Sequence, residues 1–441
     1  MGGIIATPVA SAAESMLLVE VDTGKVLHSE NGGHPWYPAS ITKILTAYVA
    51  LRAVREGRMT LDTPLTVSAN AAAQSPTKMG FPVGTLVTLD NAIKMLMVKS
   101  ANDIAVVIAE GVSGSVEGFA DEMNRQSKRL GMIQSNWVNP HGLPADQQIS
   151  SARDMAILAR AVIKEFPQYN HYWGLPGIRM GKRVHRNHNN LMGRYAGVDG
   201  MKTGFICASG FNVVATATRG NKRLIAVVLG SPSPAVRAVK TAQLLERGFQ
   251  ITPLSWLTPA LGLVDQMPAV NIDPPNLRES VCGKNRRRQP SEEAEDDSQT
   301  VQAHSPYAVF LANLRTPNAT PGTLFQDVPL GEPADVFTGT KDSPKSAWPT
   351  AAPKAKAKAA TRKAKAKAAP SSDATAKTKT KAKSGASGKA EPKAATKAAP
   401  KAKAEAKAKP GPKTGPKTGA KTADPKAKTK TQKASANQKS Q

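Results

Sequence analysis

A hydroxyl three residues ahead of an amine, Ser40-Ile-Thr-Lys43, sets a nucleophile beside a base within one helical turn. Two later runs, Ser100-Ala-Asn102 and Lys202-Thr-Gly204, add a second hydroxyl, a carboxamide and a fixed cation. A serine hydroxyl attacks a carbonyl effectively only when a base takes its proton, and Lys43 can do so only when neutral. At an unperturbed pKa of about 10.4, roughly one lysine in a few thousand is neutral at pH 7. Partial burial, a helix N-terminus and a second cation, Lys202, are each expected to destabilise the ammonium form. Ser100 is suited to pass a proton to a departing amine, and Asn102 to bind a substrate amide while holding Lys43. Lys202 suits a terminal carboxylate and Thr203 adds a hydroxyl contact. Gly204 leaves a strand edge open to an extended peptide. Backbone N–H groups of Ser40 and Phe205 are expected to meet the developing oxyanion. Taken singly, each run has an ordinary reading: Ser40, Ser100 and Asn102 as helix caps, Lys43 as a solvated cation, Lys202 and Gly204 as a strand end and turn. The ordered trio instead supplies the complementary parts of one acyl-transfer site.

The elements that must position these groups can be read from periodicity. Residues 15–30 alternate apolar and polar around Asp22-Thr-Gly-Lys25, which predicts strand, turn, strand. Pro38 precedes Ser40, and Ile41, Ile44, Leu45, Tyr48, Val49 and Ala50 recur at helical spacing, so Ser40 falls at a helix N-terminus. Helices are predicted over 89–98 and from Asn102 onward, leaving Ser100 at a helix–helix junction, and another over 152–164. Two β-rich runs, 211–218 and 223–230, flank Arg219-Gly-Asn-Lys222 as a hairpin, with 202–205 on a neighbouring antiparallel strand. A helix over 235–249 closes the unit. A helix-rich middle between strand-rich ends predicts an α+β fold in which both ends share one antiparallel sheet.

Composition limits the partners. Of the formal net charge of +27, +22 lies in residues 351–441, which hold 26 Lys/Arg against 4 Asp/Glu. The preceding 350 residues are close to neutral, so a basic, nucleic-acid-binding reading does not apply to most of the chain. Residues 351–441 repeat Lys, Ala, Pro and Thr, cannot bury a core, and are expected to be a disordered polycationic tail. The stretch 251–350 is expected to be a linker or a small separate domain, and 13–250 the catalytic domain. Residues 1–12 end in Ala10-Ser11-Ala12 after a short apolar run, the pattern of a secretory signal's end, although no cationic start precedes it. Two cysteines, Cys207 and Cys282, exclude a disulfide framework and leave a single bridge open. No metal-ligand spacing appears among the histidines or cysteines, and no cofactor is expected.

Beyond the trio, Pro38-Ala-Ser-Ile-Thr-Lys43, Asn139-Pro-His-Gly-Leu143, Val198-Asp-Gly-Met-Lys-Thr-Gly-Phe205 and Ala208-Ser-Gly-Phe-Asn212 resemble the serine D-alanyl-D-alanine carboxypeptidases, the low-molecular-mass penicillin-binding proteins. The resemblance covers about residues 15–249. It implies the penicillin-binding-protein/β-lactamase fold, an antiparallel sheet flanked by helices with a helical subdomain. It also implies Ser40 as the acylated nucleophile, Lys43 as general base, Ser100 and Asn102 in the proton and amide network, and Lys202 on the terminal carboxylate. The implied substrates are peptidoglycan stem peptides, with β-lactams as covalent inhibitors and an exported, envelope location. This chain departs at Ala101, where the pattern has Asp, and at Ile206, where many relatives have Thr. Relatives often end in a membrane-anchoring amphipathic helix, which the sequence does not show. A β-lactamase is the nearest rival, but the Glu-x-x-Leu-Asn run that activates a deacylating water there is absent. A polyanion-binding protein acting through the tail is the other alternative. Outside the cytoplasm, anionic lipid and acidic envelope polymers, not nucleic acid, are the polyanions expected to meet it.

Overall fold

The chain folds from two strands, β1 (Ser15–Glu20) and β2 (Val26–Glu30), and a two-residue β3 (Pro35–Trp36). A 3-10 turn at Ala39–Thr42 runs directly into α1 (Lys43–Arg55). Short strands β4 (Pro64–Thr66) and β5 (Leu86–Thr88) bracket a one-turn α2 (Ala69–Ala72). Then come α3 (Leu89–Val98), α4 (Asn102–Ser113) and α5 (Val116–Leu130). Past β6 (Ser150–Ser151), α6 (Ala152–Glu165) leads to a small hairpin, β7 (Gly177–Met180) and β8 (Arg183–Arg186). Three long strands follow: β9 (Val198–Ile206), β10 (Gly210–Arg219) and β11 (Lys222–Ser231). After these come α7 (Pro234–Gln250), α8 (Arg278–Cys282) and β12 (Ala334–Asp335). This computed structural model describes residues 14–251, 261–283 and 324–339. The leader expected at 1–12 and the polycationic tail expected at 351–441 lie outside them.

The main sheet has the order β2-β1-β11-β10-β9, antiparallel throughout, so the N- and C-terminal parts of the catalytic unit share it as expected. Period-2 alternation sends Val213, Ala215, Ala226 and Val228 to one face, under Ala238, Ala242 and Leu245 of α7. Val214, Ile225 and Val227 point to the other face, into a larger core shared with the helical layer. α1 runs through that layer, its residues from Lys43 through Leu51 all buried. Burying a helix on every side requires an almost wholly apolar run, and Ile-Leu-Thr-Ala-Tyr-Val-Ala-Leu supplies it. Helices α3, α5, α6 and α7 each start on a side-chain cap, from Thr88, Ser115, Ser151 and Ser233. α4 does not: its N-cap is Ala101, which makes no side-chain cap bond.

The described parts of 251–350 pack back onto the catalytic unit. Val26 N–H bonds Gly262 O (3.0 Å) and Val264 N–H bonds Gly24 O (3.0 Å), while the Val264 side chain enters the larger core. Buried Arg153 joins this run to α6. Its guanidinium donates to Asp154 Oδ1 (2.6 Å), Gly131 O (2.9 Å) and Asp265 O (2.8 Å). A second run places β12 parallel to β7 and bonds Val328 N–H to Gly193 O (2.9 Å). The cysteine question resolves as a Cys207–Cys282 disulfide, tying α8 to the turn between β9 and β10. Leu277 N–H donates to Ala208 O at the same place (2.9 Å). These attachments depend on isolated backbone pairings and single apolar contacts, which carry no periodic signature in the sequence.

A cross-link closing 75 residues restricts the unfolded chain and stabilises the fold by about 2–4 kcal/mol. Replacing Cys207 and Cys282 together by Ser is expected to lower the denaturant midpoint accordingly. Reductant should lower the midpoint of the wild type and leave the double variant unmoved.

Candidate active site

Ser40 lies in the 3-10 turn just ahead of α1, and three neighbours hold that turn. Asn212 of β10 donates from Nδ2 to Tyr37 O (3.0 Å) and Pro38 O (3.2 Å), and accepts from Gly230 N–H at Oδ1 (3.0 Å). Gly142, at φ +84°, sits so close that a Cβ would lie 1.8 Å from Ala39 O. Gly204 of β9 packs onto the turn as well; a Cβ there would lie 2.7 Å from Ser40 N and 2.9 Å from Ile41 N. Gly204 is therefore required by the approach of strand to nucleophile turn, a reason different from the open peptide edge that the sequence suggested. Ala39 itself has φ +50°, an uncommon value for a residue with a Cβ.

Lys43 begins α1 and is fully buried. Its Nζ lies 2.9 Å from Ser40 Oγ, 2.7 Å from Asn102 Oδ1 and 2.7 Å from His141 O. Three parts of the chain thus converge on one amine. Asn102, the first residue of α4, has its other amide group on Ser75 O (2.9 Å) and its N–H on Thr77 O (2.7 Å). Ser100 is buried at φ +61°, and its Oγ has no hydrogen-bond partner among the described residues. A buried hydroxyl without a partner is costly and is the kind of group a ligand satisfies. Neither Ser100 nor Asn102 caps a helix. The same triplet at Ser68-Ala-Asn70 behaves otherwise: Ser68 Oγ accepts from Ala71 N–H (2.9 Å) and caps α2.

His141 was not among the residues singled out for catalysis, although the run 139–143 was noticed. Asn139 Oδ1 accepts from Gly142 N–H (2.7 Å) and Thr46 Oγ1 donates to Pro140 O (2.6 Å), locking the loop against α1. His141 Nδ1 accepts from Leu143 N–H (3.1 Å), which requires a neutral ring protonated at Nε2. Burial is the main cause that holds its pKa down from 6.5 to about 3, with a further contribution whenever Lys43 is protonated.

On the sheet edge, Lys202 is buried opposite Val214, on the face toward the helical layer, and donates to Thr203 O (3.0 Å). Thr203 lies opposite Val213, on the α7 face. Phe205 follows Gly204 along the same strand and stacks on Phe211, ring centroids 4.2 Å apart. Arg237 of α7 is a second buried cation at this level of the sheet, donating to Asn212 O (3.3 Å), the partner of Gly204 in the ladder. Its type conceals it in the sequence, because an arginine at helical spacing between Ala235 and Ala238 looks like a solvated position.

The sequence model of the D-alanyl-D-alanine carboxypeptidase family matches residues 4–233. Among curated proteins, the chain is similar to the D-alanyl-D-alanine carboxypeptidase DacA of Haemophilus influenzae, 34% identical over 248 residues, covering 55% of this chain and 63% of that protein. It is 35% identical over 253 residues to DacC of Escherichia coli, with coverage of 55% and 63%. Among solved structures, penicillin binding protein 5 from Haemophilus influenzae aligns with a TM-score of 0.52 at 34% identity, over 55% of this chain and 72% of that one. The chain spans 63% of the length of these curated relatives.

His141 also makes stability depend on pH. Between about pH 3 and 6.5 the unfolded chain takes up a proton there that the folded chain refuses, so stability falls as pH drops through that window. The loss at the acid end is expected to be on the order of a few kcal/mol. Melting temperatures from pH 6.5 to 4 should fall more steeply for the wild type than for His141→Asn, which keeps an acceptor but no titrating ring.

Proposed function

Because this chain belongs to the D-alanyl-D-alanine carboxypeptidase family, we propose that it removes the terminal D-Ala from peptidoglycan stem pentapeptides through an acyl-enzyme on Ser40. The observation that carries this reading is the position of Lys43 Nζ, 2.9 Å from Ser40 Oγ and within 2.7 Å of two further oxygens. A neutral amine has two hydrogens and one lone pair. With the hydrogens on Asn102 Oδ1 and His141 O, the lone pair is directed at the Ser40 hydroxyl. Oγ then bonds the carbonyl carbon of the penultimate D-Ala while its proton passes to Nζ. The oxyanion is met by the N–H groups of Ser40 and Phe205. Collapse breaks the C–N bond, and the proton returns to the departing amine through the Ser100 hydroxyl, which has no hydrogen-bond partner among the described residues. Water attacks the ester in the second half, again giving its proton to Lys43. Lys202 anchors the terminal carboxylate, and the second hydrogen of Asn102 Nδ2 is the group available to a substrate amide.

β-Lactams acylate the same serine in this reading and leave slowly. A Cys207–Cys282 bridge suits an oxidising compartment and supports export to the envelope. The polycationic tail then holds the enzyme to anionic membrane or envelope polymers, since +22 charges over residues 351–441 bind polyanions with strong salt dependence.

A fluorescent penicillin is expected to label the wild type, with mass spectrometry locating the adduct on Ser40, and to leave Ser40→Ala unlabelled. Lys43→Arg keeps the charge but cannot release a proton near neutral pH, and should lower D-Ala release on the order of 10²–10⁴-fold. Penicillin hydrolysis at many turnovers per second would overturn the carboxypeptidase assignment in favour of a β-lactamase.

Deleting residues 351–441 tests the tail separately. The full chain should bind anionic phosphatidylglycerol vesicles at low salt and leave them at high salt, and the shortened chain should bind at neither; equal retention of the two counts against tethering.

A further inference from the structure

The loop between α2 and β5 lies along the start of α4 and is bonded to it at Ser100, Asn102 and Asp103. Thr77 Oγ1 donates to Ser100 O (2.8 Å), and Asn102 N–H donates to Thr77 O (2.7 Å), so one residue grips the chain on both sides of Ala101. Ser75 O accepts from Asn102 Nδ2 (2.9 Å). Asp103 accepts Met79 N–H (3.0 Å) on Oδ1 and Gly80 N–H (2.8 Å) on Oδ2. The first N–H groups of a helix need acceptors that the helix itself cannot supply. Ala101 makes no side-chain cap bond, and the Thr77 carbonyl meets the N–H of Asn102 from across the chain.

Ser100 depends most on this grip. A non-glycine residue at φ +61° is in a sparsely populated conformation that persists only where its surroundings impose it. Its Oγ has no hydrogen-bond partner among the described residues, so its backbone, and not a bond to the hydroxyl, sets where Oγ lies. We infer that Thr77 is a positioning residue for proton delivery: its hydroxyl, through Ser100 O, fixes Ser100 in the conformation that aims Oγ at the departing nitrogen. The inference rests on the carboxypeptidase reading above. Thr77 acts through main-chain atoms of Ser100 and Asn102 and takes no part in the reaction itself. Removing its hydroxyl leaves the Thr77 carbonyl on Asn102, the Ser75 bond to Nδ2 and the three oxygens around Lys43 in place. The loss therefore falls on transfer of the proton to the leaving group more than on attack by Ser40.

The test compares two substrates that differ in how much their leaving group needs that proton. An amide nitrogen must be protonated to depart, whereas a thiolate, whose thiol has a pKa of about 8.5, leaves without it. Nα,Nε-diacetyl-L-Lys-D-Ala-D-Ala and its thioester counterpart ending in D-thiolactate share one acyl group and a terminal carboxylate. In the full chain, Thr77→Val is expected to lower kcat/KM for the peptide about three- to tenfold, the effect of one lost hydrogen bond, and for the thioester by less than about twofold. Thr77→Ser keeps the hydroxyl and should hold both substrates near wild-type values. Long exposure to fluorescent penicillin, with the denaturant midpoint, reports that each variant is folded, and Thr77→Ala removes the hydroxyl with a smaller side chain if the valine variant does not fold. An unchanged peptide rate, an equal loss on both substrates, a serine variant as slow as the valine one, or failure of both the valine and alanine variants to fold overturns the role of Thr77 and leaves the carboxypeptidase reading in place. A labelled, folded wild type that releases no D-Ala from the peptide sinks that reading and the inference with it.

Discussion

An amine held away from water between three oxygens sets the terms for the rest of this structure. Burying a lysine nitrogen is strongly unfavourable unless polar partners surround it, and the oxygens around Lys43 Nζ come from residues 40, 102 and 141. The start of α1, the start of α4 and the loop 139–143 must therefore be in place together or not at all. Other features follow from that requirement. Gly142 has to be glycine because the loop lies against Ala39 O, and Gly204 because the sheet edge comes down on the Ser40 amide from the opposite side. Asn212 then closes the arrangement by tying Tyr37 and Pro38 to β10.

Local strain also falls at the same point. Ala39 and Ser100, two of the four non-glycine residues with positive φ among the described residues, adjoin the site, and the buried Ser100 hydroxyl has no partner among those residues. Each such feature costs on the order of 1–3 kcal/mol. The surrounding structure can hold them because both faces of the sheet are fully packed and most of the helices beside them start on good caps. The two helices that start at the site, α1 and α4, both lack a side-chain cap, and the start of α4 is turned toward Lys43. Some of the strain and missing satisfaction thus lies beside Ser40 and Lys43.

How legible this was in the sequence depended on whether a feature was periodic. The strands of the main sheet, helices α1, α3, α4, α6 and α7 and the hairpin at Gly220-Asn221 were readable because alternation and 3.6-residue spacing report directly on burial, whereas α5 and the short strands β3 to β8 were not expected. The spacing of Ser40 and Lys43 carried the contact between Oγ and Nζ for the same reason. Composition alone was weaker than it looked. Ser68-Ala-Asn70 and Ser100-Ala-Asn102 are identical triplets, yet one caps a helix and the other faces the site; only the backbone that presents them differs. Arg237 and the His141 carbonyl were hidden because one is a common surface residue type and the other is a main-chain atom, to which sequence is blind. The attachments of Val264 and Leu277 escaped notice for want of any repeat, and the pairing of Cys207 with Cys282 stayed open because two cysteines carry no geometry until a fold brings them together.

The order of the sheet has a consequence for how this molecule comes into being. β1 lies between β2 and β11, so Ser15 finds its neighbour only at Leu229. Until the last of the three long strands exists, β1 and β2 form an isolated ribbon, marginal in water, with an apolar edge waiting to be paired. Such a chain gathers its parts late and all at once, by a slow, long-range closure. Any stop short of residue 231 leaves an adhesive fragment, and Ser40, seated between the first strands and the last, acquires its surroundings only at the end.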